Sequence, residues 1–187
     1  MLTVPDNYAW VLLSVLAMGF QMVLQGYSIV SLRKKIFSEQ FFKAMFPGAD
    51  YKEYYLNGYP DMGSGRFSEK LSFEEWLRFN SHQRSHYHYV ENIAFIVLLT
   101  LISGLFCVPF TVACAAFYLL GRFLYSMGYR TAGPNGRQPG AYIMVIVQML
   151  LLGNAVYHLW GAGGGLSGLM NLFPPVLVEA VAPYPTA

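Results

Sequence analysis

The chain has 187 residues, 55% hydrophobic and only 12% charged, with a formal net charge of +2. Soluble domains average about 25% charged residues, so this composition argues against a water-soluble helical bundle, and no nucleic-acid partner is expected. One domain is the natural count at this length.

A helix needs ~20 mostly apolar residues to cross a bilayer. Four stretches meet that length, with limits near 8–32, 87–107, 110–130 and 140–160. The reading is therefore all-α, an integral membrane four-helix up-down bundle. A connection over 36–72 follows the first span, and a flexible tail over 166–187 closes the chain. Cationic residues fall in two places. Arg33, Lys34, Lys35, Lys43, Lys52, Arg66, Lys70, Arg78 and Arg84 lie between the first two spans, and Arg122, Arg130 and Arg137 lie around the third connection. In an up-down bundle both connections share one side, which the excess of Lys and Arg assigns to the cytoplasm. No cleavable signal is expected, because the first apolar run is long and no basic residue precedes it. Cys107 and Cys114 read as packing residues without a disulfide framework.

The first span opens near Asp6 or Asn7 as N-cap and ends at Arg33, Lys34 and Lys35, where cations suit the helix C-terminus. Gln21 and Gln25 lie four apart and are expected to bond a neighbouring helix. Phe41 to Phe46 reads as a short interfacial helix, and Asn57 to Gly65 as a loop. Ser72 and Glu75 make a capping box, so the second helix starts near Phe73, well ahead of its apolar part. Asn80, Arg84, His88, Glu91 and Asn92 recur at helical spacing and form one polar stripe. Charges on a stripe entering a membrane are costly unless they serve a ligand or each other. The stripe is therefore one wall of a candidate site for a small zwitterion.

The second helix should end near Pro109, which also suits the first turn of the third. Arg122, Tyr125 and Tyr129 share a face of the third helix, and Arg122 is deep enough to require a partner, for which Glu91 is the candidate. Residues 133–140 read as a turn that carries Arg137. The fourth span holds Gln148, Asn154 and His158 as interhelical polar groups. The Gly-rich 161–168 segment has no preceding strand and is no phosphate loop.

These residues resemble a known family. Phe79, Asn80, Gln83, Arg84, His86 and Glu91 fit the pattern F-N-x-x-Q-R-x-H-x-N-x-x-E. Gly121, Arg122, Leu124, Tyr125, Gly128, Tyr129 and Thr131 fit its second motif, and Tyr8, Val11, Leu12 and Leu13 its opening helix. The chain resembles the MAPEG family (membrane-associated proteins in eicosanoid and glutathione metabolism), and within it the type 3 microsomal glutathione transferases. The likeness covers about 8–36 and 79–160, while the connection over 39–78 is longer than usual.

The resemblance implies a homotrimer that binds glutathione between subunits near the cytoplasmic side, with the endoplasmic reticulum expected and the nuclear envelope or outer mitochondrial membrane as alternatives. It implies glutathione-binding roles for Arg33, Arg84, His86, His88, Glu91, Arg122, Tyr125 and Tyr129, and catalytic roles for Arg137 and Tyr129. Arginine forks suit the two glutathione carboxylates, and Glu91 suits the ammonium. Arg137 would stabilise the glutathione thiolate, although it also reads as an exposed loop charge. The implied activity is transferase or peroxidase chemistry on lipophilic electrophiles or lipid hydroperoxides, as in a leukotriene C4 synthase. The alternative is a non-catalytic lipid- or glutathione-binding scaffold of the same family. Glutathione is the co-substrate and no metal is expected. A site from His82, His86, His88 and Glu91 is disfavoured, because His88 points from another face. His88 replaces the usual Asn, Asn92 a Tyr, and Gly136 a basic residue.

Overall fold

The computed structural model describes residues 4–48 and 61–173. The described residues contain no strand. Their helices are α1 (Ala9–Ile36), α2 (Glu39–Met45), α3 (Phe73–Gly104), α4 (Val108–Gly136), α5 (Gln138–Ala162) and α6 (Gly165–Asn171), with a 3-10 turn at Ser68–Lys70. Four of them, α1, α3, α4 and α5, are long and apolar enough to cross a membrane. The shortest, α5, has 25 residues. At ~1.5 Å per residue it exceeds a hydrocarbon core of about 30 Å.

Local chemistry sets the helix limits. Neither Asp6 nor Asn7 caps α1: Tyr8 occupies the N-cap in a helical conformation without a side-chain bond. Asn7 instead takes a positive φ of 64° in the preceding turn, a role that Asn tolerates better than most residues. At α3, Ser72 does cap: its Oγ accepts from the Glu75 N–H at 3.3 Å. The Ser72 hydroxyl in turn donates to the Glu75 carboxylate at 2.9 Å. The interfacial helix expected from Phe41 begins earlier, at Glu39, because Ser38 caps it by accepting from the Phe41 N–H.

The two short connections differ. Between α3 and α4, the Leu105, Phe106 and Cys107 amides close back on Ile102 and Ser103, and Pro109 sits in the first turn of α4. At the other joint the non-helical residue is Gly133, at φ 67° and ψ −155° within the last turns of α4, and Arg137 alone separates α4 from α5. That conformation suits glycine. Pro134 follows it, where a missing N–H costs least. The irregular turn is thus shorter than the expected 133–140 stretch.

Side-chain contacts fix the bundle topology in the unit Met1–Ala155. Tyr8 donates to the Leu101 carbonyl, Tyr89 to the Met18 carbonyl, and His86 lies 3.5 Å from a Cβ built on Gly26. These pairings run α1 antiparallel to α3. Ser103 bonds Thr111 at 2.8 Å, and Arg122 bonds Ser85 and His88, so α4 runs antiparallel to α3. Gln21 donates to the Leu119 carbonyl at 2.9 Å and accepts from Tyr89. Asn154 of α5 donates to Ser103 Oγ at 2.8 Å. The result is an up-down-up-down arrangement. Its apolar core holds Met18, Tyr89, Ile96, Leu99, Tyr118, Met144 and Leu151, while Leu16, Phe20, Phe117, Ile146 and Met149 point outward, as a lipid-facing surface requires.

A second aromatic cluster of Phe37, Phe42, Phe67 and Phe79, with Ile29 and Leu32, docks α2 and the 61–72 segment beneath α1 and α3. Residues 57–60 of the expected loop lie outside the described residues. The unit from Val156 onward contains the end of α5 and α6, broken apart at Gly164 and Gly165 with φ 79° and 58°. Part of the segment expected as a flexible tail is thus helical, and residues from 174 lie outside the described residues.

The α4–α5 joint has no room for added atoms. A Cβ on Gly140 would lie 2.2 Å from the Tyr125 backbone nitrogen. Gly140→Ala should therefore pry the two helices apart and destabilise the bundle by about 1–3 kcal/mol. The check is a lowered thermal unfolding midpoint in detergent, with Gly153→Ala, which meets open space, as the neutral comparison.

Candidate functional site

Arg122 is the most deeply placed charge in the bundle, with 0% exposure. Its Nη1 donates to His88 Nδ1 at 2.8 Å and its Nη2 to the Ser85 carbonyl at 3.0 Å. Gln25 Oε1 lies 3.4 Å from Nη2 and Met144 Sδ 3.8 Å from Nη1. The guanidinium also lies over two rings, 4.1 Å from the Tyr89 centroid and 4.9 Å from that of Tyr125. Guanidinium only donates, so His88 accepts at Nδ1 and carries its proton on Nε2. The expected partner Glu91 is not there. It pairs instead with Arg84 on the same helix, Nη1 to Oε1 at 3.0 Å. Both residues of that pair are i and i+7, and both are about half exposed, at 54% and 51%. Glu91 stays at the half-exposed edge of α3 beside His88, and Arg122 takes its partners from His88 and Ser85 instead.

Outward from Arg122 the chemistry continues in layers. The His88 ring stacks on Tyr125, with centroids 4.7 Å apart and planes inclined by 21°. Tyr125 is 1% exposed and packs against Tyr129, 5.7 Å away. Arg137, just past the α4 terminus, folds back over both. Its Nη1 lies 3.5 Å from the Tyr125 hydroxyl oxygen, and its guanidinium lies 5.4 Å from the Tyr129 ring. It is not a free loop charge.

The opposite face of α3 carries a different set. His86 lies two residues from Arg84 and His88, about 200° round the helix from Arg84 at 3.6 residues per turn. It lines a cavity of about 350 Å³ with Arg33, Gln83, Met62 and Tyr27. Arg33 is 9% exposed, and its Nη2 lies 3.8 Å from Met62 Sδ. Met62 is delivered by a segment tied on one carboxylate. Asp61 Oδ1 accepts from Gly63 N and Ser68 Oγ, and Oδ2 from Phe67 N and Ser68 N, at 2.5–2.9 Å. Asn80 clamps the same segment by donating to the Gly63 carbonyl at 2.8 Å.

A family model described as the MAPEG family matches residues 11–157. The chain belongs to the MAPEG family. Comparison with curated proteins finds no match.

The residues singled out in this MAPEG chain therefore divide between two faces. His88, Tyr125, Tyr129 and Arg137 are brought together around Arg122, with Arg84 and Glu91 on the adjoining edge of α3. Arg33 and His86 meet at the α1–α3 cavity. Arg122 is enclosed by protein, so it braces His88 and the tyrosines from behind. Asn92 returns to its own helix by donating to the His88 carbonyl at 2.8 Å. The alternative metal set does not gather either: His82 Nδ1 faces the Arg78 carbonyl at 2.9 Å. Among the described residues no group of three or more His, Cys, Asp and Glu is placed to hold an ion. Met62 escaped sequence reasoning, since a loop residue has no periodicity that assigns it to a cavity wall. Asp61 within Asp-Met-Gly was the available signal, because an aspartate ahead of glycine often bonds backbone amides of its own turn.

Burial alone would raise the Asp61 carboxyl, but the hydrogen bonds from Ser68, Gly63 and Gly65 outweigh it and hold it below its ordinary value. A depressed folded value means that this tie is fully present above the unfolded carboxylate range and is lost as pH falls through the lower folded value. Asp61→Ala should release the 61–68 turn at neutral pH, at a local cost of about 1–3 kcal/mol for the orphaned amides. Hydrogen exchange at Gly63, Phe67 and Ser68 should accelerate in the variant, and in the native chain only at acidic pH.

Proposed function

We propose that this MAPEG protein is a membrane glutathione transferase with peroxidase capacity, similar to the type 3 microsomal glutathione transferases, acting as a homotrimer in the endoplasmic reticulum. MAPEG membership, in a family that includes glutathione transferases and peroxidases, supports the class. The observation that carries the reading is the Arg137 guanidinium folded onto Tyr125 and Tyr129 beside His88, with the Arg84–Glu91 pair next along α3.

Glutathione offers two carboxylates, one ammonium and one thiol. A half-exposed ion pair contributes only about 0–1 kcal/mol, so opening Arg84–Glu91 costs little. A zwitterion entering there exchanges one intramolecular pair for two, a carboxylate on Arg84 and its ammonium on Glu91. The thiol then lies toward Arg137. Free thiols titrate near ~8.5, and a fixed guanidinium beside the sulfur raises the thiolate fraction at neutral pH. The thiolate attacks an epoxide carbon, breaking the C–O bond, and the alkoxide takes a proton from water or the Tyr129 hydroxyl. With a lipid hydroperoxide it attacks the distal oxygen and breaks the O–O bond. The products are the lipid alcohol and a glutathione sulfenic acid, which a second glutathione converts to disulfide and water.

The two-face division of the site residues supports subunit sharing. Arg33 and His86 would meet glutathione only if they come from a neighbouring copy across its Arg84 face. The cationic connections would face the cytoplasm, and Arg122 would act as a positioning residue.

Arg84→Ala and Glu91→Ala should each weaken glutathione binding about tenfold or more, the value of a charge-assisted bond. Calorimetry in detergent checks this, and unchanged affinity in both variants rejects the clamp. Arg137→Ala should bind glutathione yet lose the ultraviolet absorbance of its thiolate on rapid mixing. If the native protein binds glutathione and forms no thiolate, the scaffold reading replaces the enzyme. Subunit sharing has its own check: Arg33→Ala and Arg84→Ala should each be nearly inactive alone, and co-expressed subunits should regain part of the activity, because some interfaces then carry no substitution.

A further inference from the structure

Two methionine–arginine contacts share one distance and differ in access. Met144 Sδ lies 3.8 Å from Arg122 Nη1, but Met144 is 3% exposed and sealed in the apolar core. Met62 Sδ lies 3.8 Å from Arg33 Nη2, and Met62 is 41% exposed at the α1–α3 cavity. A thioether is only a weak acceptor for a guanidinium. Its sulfur is also oxidisable, and the sulfoxide that forms is polar. Met62 is thus an accessible oxidisable group with a strong donor already beside it.

The backbone keeps it there. On one side of Met62, Asp61 accepts from the Gly63, Gly65, Phe67 and Ser68 amides. On the other side, Gly63 gives its carbonyl to the Asn80 side chain of α3. With both flanking residues held, only side-chain rotations of Met62 remain to move the sulfur.

We infer that Met62 is a redox modification site: a hydroperoxide converts it to the sulfoxide, and the new oxygen accepts from Arg33 and closes the α1–α3 cavity. In that step a sulfur lone pair attacks the distal peroxide oxygen. The O–O bond breaks and the S–O bond forms. The proximal oxygen takes up the hydroperoxide proton and leaves as an alcohol, or as water when the oxidant is hydrogen peroxide. Sulfur loses two electrons and the peroxide gains them. Methionine sulfoxide reductases return the thioether, at the expense of two thiols that leave as a disulfide with one water. A sulfoxide oxygen on a guanidinium makes a charge-assisted bond, stronger than the thioether contact it replaces. That bond occupies Arg33 Nη2 and ties the 61–68 segment to α1. A ligand carboxylate then has to displace an acceptor tethered beside the arginine. The oxidant is of the same chemical class as the proposed peroxidase substrate, so surplus hydroperoxide lowers glutathione binding. This last effect rests on the glutathione reading, whereas the oxidation and the tie to Arg33 do not.

The test treats the full chain in detergent with hydrogen peroxide and maps the products by peptide mass spectrometry. Met62 should be oxidised while Met144 stays reduced. Hydrogen exchange at the Gly63 and Gly65 amides should then slow by about tenfold, the value of a charge-assisted bond, and Arg33→Ala should remove the slowing. Calorimetry should show glutathione bound about tenfold more weakly after oxidation, with affinity restored by methionine sulfoxide reductases of both epimer specificities. Met62→Leu should show the same affinity before and after peroxide. Unchanged exchange with Met62 fully oxidised overturns the proposal. So does a Met62 that stays reduced while Met45, 46% exposed, is oxidised. An affinity loss that persists in Met62→Leu lies elsewhere in the chain and overturns the effect on glutathione. If the untreated protein binds no glutathione, the glutathione reading fails, and the exchange measurements alone decide the Met62 tie.

Discussion

The bundle depends on one buried cation. Arg122 touches side chains or carbonyls from α1, α3, α4's own ring Tyr125, and α5, yet no carboxylate pairs with it among the described residues. Removing a charge from water costs several kcal/mol even after relaxation. Here the compensation is spread over a carbonyl, an amide oxygen, an imidazole nitrogen and two ring faces. Each of these is a weak partner, and together they require four helices at one depth and one rotation. A single aspartate would satisfy the guanidinium while leaving the other helices free to slide. The distributed arrangement converts the cost of a buried charge into a constraint on register.

That constraint reaches the site through stacked layers. His88 is turned inward by its bond to Arg122, which places its ring under Tyr125. Tyr125 in turn meets Arg137 from the α4–α5 joint. The joint closes tightly because glycines at 128, 136 and 140 let backbones approach where any Cβ would collide. The position of the outermost arginine is therefore inherited from the innermost one, through two rings and a backbone contact. Rigid support of this kind suits the thiolate-stabilising role proposed for Arg137, since such a role depends on a fixed short distance in a low-dielectric site.

The connection between α1 and α3 is more than a tether. Its Asp61 gathers five nearby backbone and hydroxyl donors, and the phenylalanine cluster beneath α1 and α3 anchors it. It sets Met62 against Arg33, so the α1–α3 cavity has a wall that the four spans alone do not supply.

The sequence by itself determined the four spans, because bilayer thickness translates directly into run length, and the α3 start, because Ser72 and Glu75 cap locally. It also marked Arg122 as needing protein around it, since a lone cation deep in an apolar helix has few other solutions. Gln21 and Asn154 were legible as interhelical glue for the same reason. Only the tertiary structure decided partners. Glu91 and His88 lie three residues apart on one stripe, and spacing cannot say which of them turns to α4 and which to solvent. Helix rotation settles that, and it is a property of the packed bundle. The separation of Arg33 and His86 from Arg84 and Tyr125, and the place of Met62, likewise come from long-range packing that no local periodicity encodes.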